Sequence, residues 1–372
     1  ETRAEAVRAL GKLGTKDAFA RLAAILADDH LCLPARESLL HHGERALAAL
    51  HSELLKNQSA DRGPFKINLI ECIGEIASTE STPILARFIV KQPILVENAA
   101  ALALSNIRMR FLAEQSRSIA QADALFPAAV RQQIRKAYFS IVENWQHDIL
   151  AAESLHAANR DHNLDLLADA LRRFSRLRLE AALRFLELIS DPRAIRALSG
   201  DLLAGELRAR AESLEALEGT CPEADVIVRA MEKGIQSESK PLLGLHEVIG
   251  KALTRNYPPW ITACAAHAAG IIGAKSLEKE VFSVLGHSDS RTTLCAHMAL
   301  QRLKSKQYQG LKRGRSGKKN LPKEIKDMDT MMERFLFLRS VPLFSDVDGT
   351  DLQWINEITH EQRFRAKQTI FR

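Results

Sequence analysis

KINLIECIGEIA, from Lys66 to Ala77, sets Leu69, Ile73 and Ile76 three or four residues apart around the small residue Gly74. That period places apolar groups on one face of a helix. Blocks of the same kind recur before it as RAEAVRALGKLG (Arg3 to Gly14) and ARESLLHHG (Ala35 to Gly43), and after it as VENAAALALSNI (Val96 to Ile107). Later copies are RLEAALRFLELI (Arg178 to Ile189), RARAESLEALEG (Arg208 to Gly219), WITACAAHAAGIIG (Trp260 to Gly273) and RTTLCAHMALQRL (Arg291 to Leu303). Their first inward positions form a ladder: Ala6, Leu39, Leu69, Ala99, Ala181, Ala211, Ala263 and Leu294. Successive positions differ by 33, 30, 30, 82, 30, 52 and 31, and each long step has room for a degenerate copy or an inserted helix. A recurring step of this size predicts a repeat architecture.

Second helices are expected between the blocks at Asp17 to Asp28, Ser81 to Gln92 and Asp191 to Leu203. Asp or Ser stands at each start as an N-cap, with Pro83 and Pro192 in the first turn. Gly11, Gly14, Gly43, Gly74 and Gly273 mark ends of first helices or close approaches between helices. Each pair has one apolar face that only a neighbouring pair can cover, so the expected fold is all-α, an α-α superhelix. Between Ser118 and Ala152 a longer helix is predicted, with Ile134, Ala137, Tyr138, Ile141 and Trp145 on one face. A polar break, LHAANRDHN, suggests a subdivision near 156–162.

The blocks resemble HEAT repeats of the short, bilin-lyase-like kind, over 1–303. A second resemblance starts after a change of composition. MDTMMERFLFLRSVPLFSDVDGTDLQWINEITHEQRFRAKQTIFR, at 328–372, is similar to the opening of a cyclic-nucleotide-binding domain, in which a short helix carrying an FLRSVPLF-like string packs beneath a β-roll. Phe335, Leu336, Phe337, Leu338, Arg339, Pro342, Leu343 and Phe344 carry the string, and Ile370 and Phe371 match a first strand. Lys367 or Gln368 departs from the pattern where that family has a turn glycine. The resemblance implies a truncated β-roll whose nucleotide pocket, with its Gly-Glu and Arg phosphate cassette, lies beyond Arg372. No cofactor is therefore expected within these residues, and a cyclic nucleotide is the ligand implied for the remainder of that domain.

Between the two lies a basic connector, 304–327. From Arg302 to Lys326 the net charge is +9, so the other residues sum to −3 and the overall +6 belongs to this segment. Lys312, Arg313, Arg315, Lys318 and Lys319 are its candidate contacts with an anionic partner, anionic lipid headgroups before nucleic acid. Tyr308 is the one aromatic interleaved there, too few for base stacking, and the mildly acidic array argues against a duplex-binding groove. A nucleic-acid-binding protein using 302–326 is the alternative reading.

The five cysteines, Cys32, Cys72, Cys221, Cys264 and Cys295, stand singly with no CxxC, which predicts reduced thiols and a cytoplasmic setting. His41 and His42, the pair His246 and Glu247, and His267 and His297 beside Cys264 and Cys295 are the histidines to weigh as metal ligands; helix-end or surface placement accounts for the first two sites, and repetition alone for His267 and His297. No Gly-Lys-Ser/Thr phosphate loop, GxGxxG or GxSxG occurs, so no catalytic group and no enzyme activity are expected. No apolar run reaches the length of a membrane span. The chain starts within a helical pattern and stops after a strand-like run, and reads as an excerpt of a longer protein. Together the parts resemble a bacterial arrangement in which a HEAT array and a cyclic-nucleotide-binding domain follow a membrane nucleotide carrier of the ATP:ADP antiporter type. The function this implies is a non-catalytic regulatory scaffold that meets protein partners on its helical surface.

Overall fold

In the computed structural model, which describes residues 2–57, 63–114, 118–158, 164–204, 206–235, 243–253, 257–306 and 308 together with Leu338, Val341, Phe344, Val347 and Ile355, the block at Lys66 lies in a helix, Gly63–Ile76. It buries Leu69, Ile70, Cys72, Ile73 and Ile76. Full burial of each such aliphatic side chain contributes roughly 1.5–3 kcal/mol. The described residues are all-α, with no strand among them. None of these helices is long and apolar enough to cross a membrane.

Packing divides the chain into two units, Glu1–His147 with Ser175–Lys240, and Asp148–Phe174 with Pro241–Arg372. The first begins with α1 (Thr2–Leu13), α2 (Lys16–Ile25), α3 (Cys32–His42), α4 (Leu47–Lys56), α5 (Gly63–Ile76), α6 (Thr82–Leu85) and α7 (Ile94–Ala113). Contacts skip one helix: α1 packs on α3, α3 on α5, α5 on α7, and α2 on α4. The small residues of the blocks explain this. A Cβ on Gly11 would lie 2.6 Å from Ser38 Cβ, and one on Gly74 would lie 2.6 Å from Ala103 Cβ. Backbones approach that closely only where a side chain is missing.

The first unit continues through α8 (Ile119–Asp123), the first part of α9 (Ala128–Ala158), the last part of α10 (Asp165–Ile189), α11 (Pro192–Ala204), α12 (Leu207–Leu217) and α13 (Ala224–Ile235). Ser105 of α7 bonds Glu187 of α10, far along the chain, and α7 packs on α11. The long step of the ladder from Ala99 to Ala181 thus holds inserted helices, α8 and α9, between elements that touch.

Helix α9 buries Ile134, Tyr138, Ile141 and Trp145 as expected, and Tyr138 donates to the Glu223 carbonyl at 2.6 Å. It does not start at Ser118. That residue caps α8 in a reciprocal pair with Gln121, and Pro127 separates the two helices. The break expected near 156–162 lies partly outside the described residues; α9 runs on to Ala158.

The second unit holds the end of α9, the start of α10, α14 (Leu245–Ala252), α15 (Pro259–Ile271), α16 (Glu278–Val284) and α17 (Ser290–Arg302). Helix α15 packs on α17, where a Cβ on Gly270 would meet Ala299 Cα at 2.8 Å. Buried Asp148 accepts a hydrogen bond from Tyr257 at 2.6 Å, and the Tyr257 ring packs on Phe174.

Several local expectations change. Ala6 and Ala211 are exposed and Leu294 is half-buried, while Leu39, Leu69, Ala99, Ala181 and Ala263 are buried. Helix α1 buries Val7 and Gly11 instead, one position round the helix. The cap of α2 is Thr15, whose Oγ1 accepts from Ala18 N at 3.3 Å, with Asp17 in the first turn. The helix expected over Ser81 to Gln92 is short. Its α-helical part, α6, spans only Thr82–Leu85 and lies between 3-10 turns at Thr79–Ser81 and Ala86–Phe88. Pro93 follows, and a residue before proline avoids the helical region. Asp191 does act as a start signal, accepting from Arg193 N at 3.0 Å.

Candidate functional site

A network of polar side chains is buried in the first unit. Glu187, on the apolar face of α10, has a fully buried side chain. Its Oε1 accepts from Arg184 at 2.7 Å, and its Oε2 accepts from Arg196 Nη2 at 2.9 Å and from the Ser105 hydroxyl. Arg196 Nη2 also reaches Ser105 Oγ at 2.8 Å and Asn106 Oδ1 at 3.2 Å. Arg108, equally buried, donates to the Glu187 carbonyl at 2.8 Å and to Asp123 at 2.5 Å. Burial pushes the Arg108 guanidinium below its ordinary value, with Asp123 and Asp191 opposing.

This knot joins α7, α8, α10 and α11. Both oxygens of Glu187 are occupied, and Ser105 is bonded to a carboxylate and a guanidinium. The arrangement fixes helices against one another; it presents no activated nucleophile. The buried carboxylate offsets the desolvation of Arg184 and Arg196, while Arg108 is compensated by Asp123; removing the carboxylate leaves the first two without their partner.

A second set of polar contacts recurs at helix ends. His42 Nε2 lies 2.7 Å from the Gly11 carbonyl, Arg45 donates to the Gly14 carbonyl at 3.1 Å, and Arg110 donates to the Ile76 carbonyl at 2.5 Å. Each adds a partner to a carbonyl at the C-terminal end of α1 or α5, where the helix ladder runs out. Arg36 of α3 bridges to Glu71, at 2.8 Å, and to Glu75 of α5. Next to these contacts is an open depression of about 370 Å³ lined by Leu40, Gly43, Glu44, Glu75, Ile76 and Arg110. Its mixed apolar and charged lining resembles protein surface more than the enclosed apolar pockets that hold small molecules.

The histidines and cysteines fall into packing roles. The His42 ring packs at a tilt against Phe19, with centroids 4.9 Å apart, and also meets His41. His246 Nδ1 lies 3.4 Å from Ser276 Oγ, and Glu247 is exposed. His267 is buried on α15, and His297 on α17 sits 3.0 Å from the Tyr308 hydroxyl. Cys72, Cys264 and Cys295 are buried and Cys32 and Cys221 half-buried, all as free thiols. Burial pushes the Cys72 thiol up to about 12. A thiol-alkylating reagent at pH 8 is therefore expected to leave Cys72 unmodified until the chain unfolds, as read by mass spectrometry. Trp145 is buried and Trp260 half-buried, Arg172 pairs with Asp169 at 3.2 Å, and Arg178 is buried while Arg176 is exposed.

The basic connector and the tail lie mostly outside the described residues. That holds for Lys312, Arg313, Arg315, Lys318 and Lys319, and for Phe335, Leu336, Phe337, Arg339, Pro342, Leu343, Ile370 and Phe371. Leu338 and Phe344 are described, both half-buried, and the N–H groups of Val341, Phe344 and Val347 donate to the carbonyls of Leu338, Val341 and Phe344 at 3.1, 2.9 and 3.2 Å. The connector is expected from its composition to begin at Lys304, yet its first residues are packed: Ser305 Oγ donates to Glu278 at 2.6 Å and Tyr308 is buried.

Sequence reasoning missed the Glu187 knot. Its signal is present in the charged residues inside apolar helix faces, Arg108 in NIRMRFL and Glu187 in RFLELI, with Ser105 and Glu187 spaced equally to Ala99 and Ala181. No protein-family model matches this chain, and no curated protein matches it either.

Proposed function

We propose that residues 1–303 form an α-α superhelix of short HEAT-like repeats that serves as a non-catalytic scaffold for protein partners. One observation carries this reading. Small residues meet at equivalent points of three inner-helix contacts, Gly11 with Ser38, Gly74 with Ala103 and Gly270 with Ala299, at nearly equal separations along the chain. The carbonyl contacts made by His42, Arg45 and Arg110 recur at similarly constant separations. A stack of similar pairs produces such recurrence, because each pair meets its neighbour in the same way.

On the same reading, 328–372 open a cyclic-nucleotide-binding domain, and the whole is the cytoplasmic regulatory part of a larger protein of the nucleotide-carrier type. The turns through Leu338, Val341 and Phe344 suit the short helix that the FLRSVPLF string implies. Titration of the full-length gene product with cAMP and cGMP tests this half: saturable binding of either supports it, and binding of neither sinks it. Mixing with anionic vesicles and with duplex DNA tests the connector. Salt-sensitive vesicle binding, lost when Lys312, Arg313, Arg315, Lys318 and Lys319 become glutamate, favours a lipid surface; the same result with DNA alone favours the nucleic-acid reading.

A further inference from the structure

The inner helices of the first unit do not all end alike. At the end of α1, His42 Nε2 meets the Gly11 carbonyl and Arg45 donates to the Gly14 carbonyl, each from 31 residues further along the chain. At the end of α5, Arg110 reaches the Ile76 carbonyl from 34 residues further on. The equivalent donors for α3 would stand at the end of α5. That stretch, IECIGEIASTES from Ile70 to Ser81, contains three glutamates and no lysine, arginine or histidine. Among the described residues, no side chain donates to a carbonyl from Leu39 to Gly43. The last turn of α3 is closed by the Gly43 N–H on the Leu40 carbonyl, and His42 of that turn is directed at α1 instead. A helix C-terminus carries partial negative charge that a nearby cation stabilises.

The open depression of about 370 Å³ lies at this end of α3. Leu40 and Gly43 close the helix, Glu44 follows in the next turn, and Glu75 and Ile76 end α5 beside it. A Cβ on Gly43 would meet no atom within 4 Å, so the space beside the helix end is open. The cations nearby are engaged: Arg36 with Glu71 and Glu75, Arg110 with the Ile76 carbonyl and with Glu114 at 3.4 Å, and Arg45 with α1. The exposed carboxylate of Glu44 has no partner among the described residues. Four carboxylates, Glu44, Glu71, Glu75 and Glu114, thus stand against two guanidinium groups, Arg36 and Arg110, over the apolar Leu40 and Ile76. A cation on an aliphatic stem matches such a lining.

We infer that the depression seats an arginine or lysine side chain of a protein partner. Its stem lies on Leu40 and Ile76, and its charge does at the end of α3 what His42 and Arg45 do for α1 and Arg110 does for α5. The inference rests on the scaffold reading and names the chemistry of the partner. Arginine suits the seat better, because its fork can engage Glu44 and a helix-end carbonyl together.

Titration of the full chain with acetyl-Ala-Leu-Arg-Leu-Ala-amide, followed by amide NMR shifts, tests the seat. Saturable shifts are expected at Gly43, Glu44, Ile76 and Ala77. Citrulline in place of the peptide's arginine keeps the shape without the charge and is expected to weaken binding by about fivefold or more, as is Glu44→Lys. Glu44→Gln, the milder change at this exposed position, is expected to weaken it by about twofold to fivefold. Equal binding of the citrulline peptide overturns the seat. Shifts elsewhere on the array, indifferent to Glu44→Lys, overturn it and leave the scaffold reading standing. No binding by the arginine peptide, the citrulline peptide or a glutamate counterpart overturns the seat and counts against the scaffold reading as well. Tighter binding once Lys312, Arg313, Arg315, Lys318 and Lys319 are replaced by glutamine gives the seat to the chain's own connector and overturns a separate partner.

Discussion

Replacing Glu187 by alanine is expected to destabilise the first unit by about 3–5 kcal/mol, because it leaves Arg184 and Arg196 without the carboxylate they share. For a unit of this size the midpoint of thermal unfolding should fall by about 6–20 °C. Glu187→Gln is expected to lose less, since an amide oxygen still accepts one of the donors. The double variant Glu187→Leu with Arg196→Leu should recover part of the loss, because it removes one of the two guanidinium partners along with the carboxylate and leaves only Arg184 uncompensated. Chemical denaturation of the four proteins measures each difference. A loss below about 1 kcal/mol for Glu187→Ala, the range of an exposed pair, would show that water reaches the knot and that it does not hold α7 to α10 and α11.

Substituting Gly74 by leucine is expected to open the contact between α5 and α7. The new Cβ would lie 2.6 Å from Ala103 Cβ and 2.7 Å from Ala103 Cα, so the helix backbones must part. Overpacking of this kind costs about 1–3 kcal/mol even after the gain of about 0.8–1 kcal/mol in helix propensity over glycine. The distribution of the damage is as informative as its size. In a stack of pairs, each pair touches only its neighbours, so amide exchange should rise in Gly63–Ile76 and Ile94–Ala113 while Pro259–Ile271 and Ser290–Arg302 stay protected. A uniform rise through the whole chain would point to one cooperative core and reject the stacked reading. The exchange of small residues, Gly74→Ala with Ala103→Gly, should restore most of the stability, since one Cβ is moved across the contact and none is added.

Much of the helical layout is legible in spacing. The repeated blocks all fall in helices, and the close-approach roles of Gly11 and Gly74 are visible from small residues within apolar periods. Where the reading fails, a competing local force has won. Ser81 to Gln92 has the composition of a second helix, but Pro93 follows it, the Gln92 N–H is taken by Glu97, and the chain turns left-handed at Lys91. Asp17 has the composition of a cap, yet Thr15 stands two positions earlier with its hydroxyl accepting the Ala18 N–H. The candidate sites fare differently. The residues of the connector and of the FLRSVPLF string come from composition and resemblance, whereas the buried knot is signalled only by charges inside apolar helix faces, which mark burial without naming the partners that other helices supply.

Residue spacing alone suffices for helix, for the regular step between blocks and for the charge division between array and connector, because each is a property of neighbours along the chain. Which helices touch required the folded structure. The long step between Ala99 and Ala181 is compatible with another stacked copy or with an insertion, and the contact of Ser105 with Glu187 makes it an insertion. Burying that carboxylate is tolerable only where Arg184 and Arg196 converge on it, and a convergence of groups from separate helices is set by packing, which no single segment of sequence contains.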